Sequence, residues 1–296
     1  MNIDPGWDLY RSFAAVLRAG SLSGAARMLG MTQPSIARHV DALEDALGID
    51  LFVRTQRGLS PTDAALRLRP YAESLEATAA ALRRAVASDT DATAGTVRIT
   101  ASEIVGTEHL PAILTRVRQR HPGLHVELVL SNAVDDLLQR HADIAVLMIE
   151  PVQQALVVRR AGAVEVGLHA HGRYLADREI PRSLAALSAH DLIGFDTETP
   201  MIRAVSARFP ELNRAAFALR ADSDIAQLAA IRAGFGIGFC QVQVARRDSD
   251  LVRVLAAEVS FEFGMWIVMH EDLRSNQACR IVFDALAEEL SIIGAR

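Results

Sequence analysis

The sequence predicts an α+β protein of several domains, with an N-terminal winged helix-turn-helix, a long linker helix and a C-terminal two-lobed α/β domain. Three observations support this fold class. Residues 20–48 contain two short helical patterns separated by Gly30 and Thr32. A heptad pattern of leucines follows in residues 62–88. From residue 96 onwards, strand and helix patterns alternate at short intervals, which is typical of a sheet covered by helices.

The first two helices are predicted from apolar spacing and glycine stops. The apolar residues of 9–17 recur at helical spacing, and Gly20 ends that helix. Ser23 is the expected N-cap of a second helix over residues 24–29. Gly30 then ends this helix in a left-handed conformation.

The third helix begins after Thr32, which is its expected N-cap, and Pro34 occupies the first turn, where a missing N–H costs nothing. Four apolar residues form its inward stripe: Ile36, Val40, Leu43 and Leu47. Small alanines on the second helix allow a close, steep crossing over a short glycine-containing turn, which is the pattern of a helix-turn-helix. The third helix is therefore predicted to read DNA.

A hairpin and a long helix are predicted next. A strand at 51–53 and a return ending at Pro61 give a wing with Arg54 and Arg57 at its tip. Thr62 caps a helix that extends to about residue 88. One face of this helix carries residues at heptad spacing, namely Leu68, Tyr71, Leu75, Thr78 and Leu82. Such a seam on an otherwise polar helix requires a partner helix.

The remainder of the chain predicts two α/β lobes with a cleft between them, built on a parallel sheet that is covered on both faces. Strands are expected near 97–100, 126–130, 143–148, 164–169, 192–195, 216–220, 237–239 and 265–269. The strand at 126–130 is expected to alternate inward and outward. Helices are expected at 110–120, 135–140, 183–187, 202–207, 223–233 and 279–290.

Composition and charge limit the function classes. At 296 residues, half of them hydrophobic, the chain suits two or three packed domains. It contains no run of about 18 uncharged apolar residues, and its N-terminus lacks the basic flank of a signal peptide, so we expect a cytoplasmic protein with no membrane partner. The net charge of −5 argues against a protein that coats nucleic acids indiscriminately. Every basic residue is an arginine, whose guanidinium suits two-point contact with phosphate or guanine.

Residues 13–59, "FAAVLRAGSLSGAARMLGMTQPSIARHVDALEDALGIDLFVRTQRGL", with Pro61 and Thr62 after them, resemble the LysR-type transcriptional regulators. The resemblance is weaker in residues 95–296. It implies a winged helix-turn-helix, a linker helix that dimerises antiparallel to its partner, and an effector domain of periplasmic-binding-protein type. It also implies homodimers or homotetramers on promoter DNA, and RNA polymerase as a further partner. Ala65 departs from the glycine that is usual in the family, which bears on the packing of the wing against the linker helix.

The predicted domain boundaries follow from these patterns. They are 1–61 for the winged helix-turn-helix, 62–88 for the linker helix, 89–95 for the hinge and 96–296 for the effector domain, with lobe 1 at about 96–161 and 265–296 and lobe 2 at about 162–264.

The predicted DNA contacts fall into two groups. The major-groove group comprises Gln33, Pro34, Ser35, Arg38 and His39, because Gln can pair with adenine, Arg with guanine, and Pro with a thymine methyl. The group expected to hold the DNA backbone comprises Ser21, Ser23, Arg27, Arg54 and Arg57. The second group would position the protein on a DNA half-site, and the first would recognise its base sequence. A dimer would then read two half-sites.

The predicted effector contacts lie after strand ends, where helix N-termini offer unpaired N–H groups. By resemblance to the family they face the cleft: Ser102, Glu103, Asp196, Thr197, Arg203, Ser223, Asp224 and Gln241. The acids among them predict an unknown small-molecule effector that is neutral or cationic, or one whose negative charge is balanced by Arg203.

Other classes of function are less well supported by the sequence. No G-x-S-x-G, P-loop or H-E-x-x-H motif occurs, so neither an enzyme nor a bound cofactor is expected. His169 and His171 share a strand face without a third ligand nearby, and Cys240 and Cys279 form no C-x-x-C, so no metal site is expected. Two alternatives stay open: an effector-independent repressor whose second domain only oligomerises, and a redox sensor that uses Cys240.

Overall fold

The structure is a computed structural model that describes residues 5–55, 58–87, 94–132, 142–151 and 156–294. Three sequence predictions lie outside the described residues: Arg57 and the side chain of Arg54 at the wing tip, the central part of the hinge, and the helix at 135–140. Within the described part of the chain, no helix has the length and apolar character needed to cross a bilayer. The chain folds into two compact units, an N-terminal one and a larger C-terminal one.

Within the described residues, the first unit contains four helices and a hairpin. Its elements are α1 (Trp7–Ala19), α2 (Leu22–Leu29), α3 (Gln33–Leu47), β1 (Phe52–Thr55), β2 (Gly58–Pro61) and α4 (Asp63–Ala87). Gly20, Gly30 and Gly48 follow α1 to α3 with φ between 64° and 68°, the left-handed conformation that favours glycine. Strands β1 and β2 pair antiparallel and form the predicted wing.

The second helix differs from the prediction at its start. Ser21, not Ser23, is the N-cap, and its side chain accepts a hydrogen bond from the N–H of Gly24. Both serines satisfy the capping preference, and the chain uses the earlier one, so α2 gains Leu22 and Ser23 at its N-terminus.

The core of the first unit has two parts. One is built on Ala15, Ala25 and Ile36, where α1, α2 and α3 meet. The other joins Phe13 and Leu43 to the start of α4. Ala65 belongs to it and is fully buried, so the departure from the family glycine is accommodated in the packing between wing and linker helix. The stripe on α3 ends at Leu43, because Leu47 is exposed.

The second unit is built around a seven-stranded sheet. Its strands are β3 (Gly95–Ala101), β4 (Leu124–Leu130), β5 (Ile144–Leu147), β6 (Leu156–His171), β9 (Gly238–Gln241), β10 (Leu251–Val254) and β11 (Ser260–His270), and a separate parallel pair is formed by β7 (Leu192–Gly194) and β8 (Phe217–Arg220). The order is β10-β6-β11-β5-β3-β4, with β9 also paired to β6.

The helices of the second unit vary widely in length. They are α5 (Glu103–Glu108), α6 (Leu110–Arg120), α7 (Gly172–Leu175), α8 (Pro200–Arg208), α9 (Asp224–Arg232), α10 (Val242–Ala245) and α11 (Gln277–Gly294), with 3₁₀ turns at Leu184–Ala189, Arg214–Ala216 and Glu271–Leu273. Helices α5, α7 and α10 and strand β10 were absent from the sequence prediction, because each has only four to six residues and shows no clear period.

The prediction of a parallel sheet is correct only in part. Strands β4 and β5 run parallel to β3, whereas β6 pairs antiparallel with β9, β10 and β11. The predicted alternation along β4 is correct only in part, since burial alternates from Leu124 to Glu127, whereas Glu127 and Leu128 are both exposed at this edge strand.

Strands β6 and β11 join the two lobes. One half of β6 pairs with the part of β11 that neighbours β5, and the other half pairs with β9 and β10. Helices α6 and α11 pack with β3 and β5 in the core of the first lobe, whereas a separate core lies around Tyr174 and Phe217 in the second. Ile104 on α5 packs against the first-lobe core and also against a third cluster on α9 and β9. The lobes are therefore in direct contact beside the crossing strands.

Candidate functional site

The surface of α3 is exposed at its N-terminus. The Thr32 side chain accepts a hydrogen bond from the N–H of Ser35, and Pro34 lies in the first turn. Gln33, Pro34 and Arg38 are exposed, and Ser35 is partly exposed. Four of the five residues predicted to read bases therefore lie on the accessible side of this helix.

The fifth residue, His39, has a structural contact. Its Nδ1 lies 2.7 Å from the hydroxyl oxygen of Ser12, which is buried in α1. The ring is partly buried, and this hydrogen bond occupies one of its two nitrogens. His39 therefore links α3 to α1, and only its other nitrogen remains for a ligand.

The predicted backbone contacts lie on and before α2. Ser23 and Arg27 are exposed, while Ser21 is partly exposed and uses its hydroxyl oxygen to cap α2. A hydroxyl that accepts a backbone N–H retains its own hydrogen for donation to a phosphate oxygen. The structure thus keeps all three residues accessible.

The second half of α3 is acidic. Asp41 and Asp45 are exposed there, whereas Glu44 is turned towards the wing. The Glu44 carboxylate accepts the N–H of Leu51 at 2.6 Å and that of Phe52 at 3.0 Å. Negative charge in this half disfavours phosphate, so only the first turns of α3 present an accessible surface that suits contact with an anion. Sequence reasoning missed the structural role of Glu44.

The heptad face of α4 carries exposed apolar side chains. Tyr71 is 70% exposed, Leu82 66% and Leu75 43%, whereas Leu68 packs against the core of the first unit. Exposed large apolar side chains in one row are typical of a surface that a partner covers.

In the second unit, three of the predicted effector residues meet across the lobes. The Ser223 hydroxyl donates to a Glu103 carboxylate oxygen at 2.8 Å. Asn132 bridges the same region, because its amide oxygen accepts the N–H of Glu103 and its amide nitrogen donates to Asp224. Burial, and next the charge of Glu103, raise the pKa of the Asp224 carboxyl. The site is therefore acidic, and Asn132 is a member that the sequence did not indicate.

Gln241 belongs to a neighbouring group of contacts. Its side-chain oxygen lies 2.8 Å from Nε2 of His109, and both residues are buried. An Arg247 guanidinium nitrogen lies 2.8 Å from Nδ1 of the same ring. Arg232 donates two hydrogen bonds to Glu108, at 2.7 and 3.2 Å. These residues form a polar seam between the lobes, which sequence reasoning did not foresee beyond Gln241.

Three further predicted effector residues lie elsewhere, Asp196 and Thr197 in the loop after β7 and Arg203 on α8. Asp222 accepts hydrogen bonds from the backbone N–H groups of Asp196 and Thr197 and from the Thr197 hydroxyl, and these bonds from Thr197 lower the pKa of Asp222. Asp196 pairs with Arg214 at 2.6 Å. The Arg203 guanidinium donates to the backbone carbonyl of Glu198, so its charge lies against the loop before α8.

Ser102 differs from its neighbours. Its hydroxyl oxygen is buried and has no hydrogen-bond partner within the described part of the chain. A buried hydroxyl without a partner is energetically costly, and a bound ligand could satisfy it.

The two histidines and the cysteine that were considered for metal or redox chemistry make contacts of other kinds. His169 lies against the carbonyl of Gly167, and His171 contacts Arg173. Across the described residues, no group of three or more His, Cys, Asp or Glu is arranged to hold a metal ion. Burial raises the pKa of the Cys240 thiol to about 12.

Two family models match the chain. The model described as "Bacterial regulatory helix-turn-helix protein, lysR family" matches residues 7–66, and the "LysR substrate binding domain" matches residues 90–291.

Curated relatives are similar over part of their length. "HTH-type transcriptional regulator CrgA" of Neisseria meningitidis is 28% identical over 183 residues, which cover 62% of this chain and 61% of the relative. "HTH-type transcriptional activator AaeR" of Escherichia coli is 28% identical over 183 residues, 62% of this chain and 59% of the relative. The matched part thus spans about three fifths of these relatives.

Solved structures share the fold over nearly the whole chain. Full-length AphB of Vibrio cholerae has a TM-score of 0.62 at 22% identity, covering 96% of this chain and 99% of that one. CrgA of Neisseria meningitidis has a TM-score of 0.59 at 24% identity, covering 96% and 98%. CbnR in complex with its target DNA has a TM-score of 0.63 at 18% identity, covering 96% and 99%. These likenesses confirm the predicted fold class.

Proposed function

The chain belongs to the LysR family of bacterial regulators, and from this premise we propose that it is a sequence-specific DNA-binding transcriptional regulator controlled by a small-molecule effector. The observation that carries the proposal is the capped N-terminus of α3, which presents Gln33, Pro34 and Arg38 to solvent on a helix-turn-helix. This is the geometry that places side chains against base edges in the major groove.

The division of labour among the DNA contacts follows from chemistry. Arg38 would pair with guanine and Gln33 with adenine, each contact worth about 1–3 kcal/mol of discrimination. Ser21, Ser23 and Arg27, with Arg54 and Arg57 of the wing, would hold phosphates. His39 is the weakest member of the proposed set, because Ser12 already holds one of its ring nitrogens.

The proposed assembly is a homodimer through α4 that associates further into a tetramer on promoter DNA. The exposed row of Tyr71, Leu75 and Leu82 supports the pairing of two α4 helices. Residues 1–90 contain ten arginines and ten acids, so each subunit neutralises few phosphates and two half-sites would be needed for tight binding. A cytoplasmic location and contact with RNA polymerase belong to the same proposal.

The proposed effector site lies where Ser102, Glu103, Ser223 and Asp224 meet. A neutral or cationic effector suits it, because the carboxylates of Glu103 and Asp224 lie together. The Arg203 guanidinium donates to the backbone carbonyl of Glu198 instead of facing them. The unpartnered Ser102 hydroxyl would supply a hydrogen bond. An effector changes activity only if it binds one arrangement of the lobes more tightly than another. A thermal-shift screen of amines, neutral compounds and dicarboxylates tests this, and tight binding of a simple dicarboxylate would contradict it.

Cys240 supports the redox alternative poorly, since a thiol with a pKa of about 12 is almost entirely protonated at neutral pH. The alternative of a repressor without an effector predicts no stabilisation by any small molecule. We propose no catalytic activity for the chain.

The experiment that tests the DNA-binding proposal is a footprint on the DNA upstream of the protein's own coding sequence. Arg38→Ala is expected to weaken protection by about 5- to 150-fold, the equivalent of about 1–3 kcal/mol. Arg67→Ala is the matched control, because it removes the same charge from an exposed position on α4. Protection over two half-sites that is lost only with Arg38 supports the proposal. Equal loss in both variants would contradict base reading by α3.

A further inference from the structure

The seam between the lobes contains a buried histidine that is hydrogen-bonded on both sides. His109 is 1% exposed and lies between α5 and α6 of the first lobe. Gln241 and Arg247, which contact its two ring nitrogens, belong to β9 and the segment after α10 in the second lobe. The imidazole therefore connects the lobes directly.

The hydrogen bonds define the protonation state that fits the seam. An arginine can only donate, so Nδ1 of His109 accepts from Arg247 and carries no hydrogen. The neutral ring then has its hydrogen on Nε2, which donates to the side-chain oxygen of Gln241. A second hydrogen on Nδ1 would face the Arg247 guanidinium, donor against donor and cation against cation.

The other charged groups around the His109 ring form hydrogen bonds or ion pairs with partners other than the ring. Glu108 accepts two hydrogen bonds from Arg232, and its backbone carbonyl accepts one from Arg247. Arg232 also lies 3.6 Å from Asp248. The Cys240 thiol, next to Gln241, is held protonated by burial. No carboxylate of the described residues is hydrogen-bonded to the ring, and the charge of Glu108 offsets only part of the effect of burial on the pKa of His109.

We propose that His109 is a proton-sensitive link between the lobes, whose neutral form holds the seam together and whose protonation opens it. All the residues that take part in this opening belong to the second unit. Its consequence for regulation rests on the proposed function, since a change in the closure of the effector domain would alter its response to a ligand.

The pH range over which the seam opens follows from the difference in the pKa of His109 between the closed and the open seam. Burial, with a contribution from Arg247, lowers the pKa of His109 below its ordinary value of 6.5 while the seam is closed. Once the seam opens, water reaches the ring and its pKa returns towards the ordinary value. The closed seam is therefore fully favoured above pH 6.5 and loses stability as the pH falls below it.

Hydrogen–deuterium exchange of the full-length protein at about pH 7.5 and about pH 5.5, corrected for the intrinsic rate, measures the opening. In the wild type, the amides of residues 103–110 and 227–247 are expected to exchange faster at the lower pH, by up to about tenfold, because pH 5.5 lies one unit below the ordinary histidine pKa of 6.5. His109→Gln keeps an uncharged donor and acceptor and should show no such change. His125→Gln, at an exposed position on β4, should behave like the wild type.

A pH response that persists in His109→Gln would overturn the proposal, as would equal exchange at both pH values in the wild type. A titration of the histidine ring ¹³C signals of the wild type by NMR provides a second test, in which His109→Gln serves only to assign the signal. The wild type should contain one ring, absent from His109→Gln, that titrates below 6.5 together with the change in exchange. If that ring titrates at 6.5 or above, the proposal fails. Neither measurement requires DNA, so failure of the footprint leaves this inference separately testable.

Discussion

Replacing Glu44 by alanine should weaken the attachment of the wing to α3. Its carboxylate accepts the N–H groups of Leu51 and Phe52 at 2.6 and 3.0 Å. Hydrogen bonds to a charged group contribute about 1.5–3 kcal/mol each. Because both bonds share one oxygen and the site is only partly buried, we expect a loss of about 2–4 kcal/mol for the pair. Glu44→Gln keeps an acceptor oxygen without its charge and should cost about 1 kcal/mol.

The exchange rates of the Leu51 and Phe52 amides measure this loss locally. A loss of 2–4 kcal/mol predicts exchange that is about 30- to 1,000-fold faster in Glu44→Ala. Asp45→Ala is the matched control, since this exposed neighbour is expected to change stability by less than about 0.5 kcal/mol. If both alanine variants exchange alike, the carboxylate does not stabilise the wing and the reasoning is refuted.

Three further predictions concern other parts of the chain. Leu75→Glu places a charge on the exposed seam of α4 and should shift the protein from dimer to monomer in analytical ultracentrifugation; an unchanged mass would exclude α4 as the interface. Gly236→Ala should destabilise the second unit by about 3 kcal/mol in urea unfolding, because the new Cβ would lie 2.0 Å from the backbone oxygen of Asp191, and a neutral effect would contradict this packing. Cys240, with a pKa of about 12, should be only about 10⁻⁵ thiolate at pH 7 and should react with a thiol reagent far more slowly in the folded protein than in denaturant. Rapid modification, or oxidant-sensitive DNA binding that Cys240→Ser abolishes, would restore the redox alternative.

The local features of the first unit were predictable because their causes are local. Thr32 and Pro34 act within the first turn of α3, and the sequence places the start of that helix correctly. The choice between Ser21 and Ser23 as the cap of α2 was not predictable, since both residues meet the same preference.

The contacts that modify the candidate sites are long-range. His39 is polar and lies on the predicted outer face, but Ser12, 27 positions earlier, holds its ring. Glu108 and Arg232 are 124 positions apart, and no periodic pattern connects them. The arrangement of the strands and helices in the fold determines such contacts, and local patterns in a single sequence do not predict that arrangement.

The position of β11 determines when the second unit can form. This strand lies between β5 and β6 in the sheet, yet about 110 residues separate the end of β5 from its first residue, Ser260. At a synthesis rate of about 5–20 residues per second, β5 waits on the order of ten seconds with one edge unpaired, a condition that favours aggregation. Assembly of the sheet of the second unit therefore cannot be completed before β11 has been synthesised. A chain interrupted shortly before residue 260 would retain the complete first unit and lose the strand on which the sheet of the second unit depends.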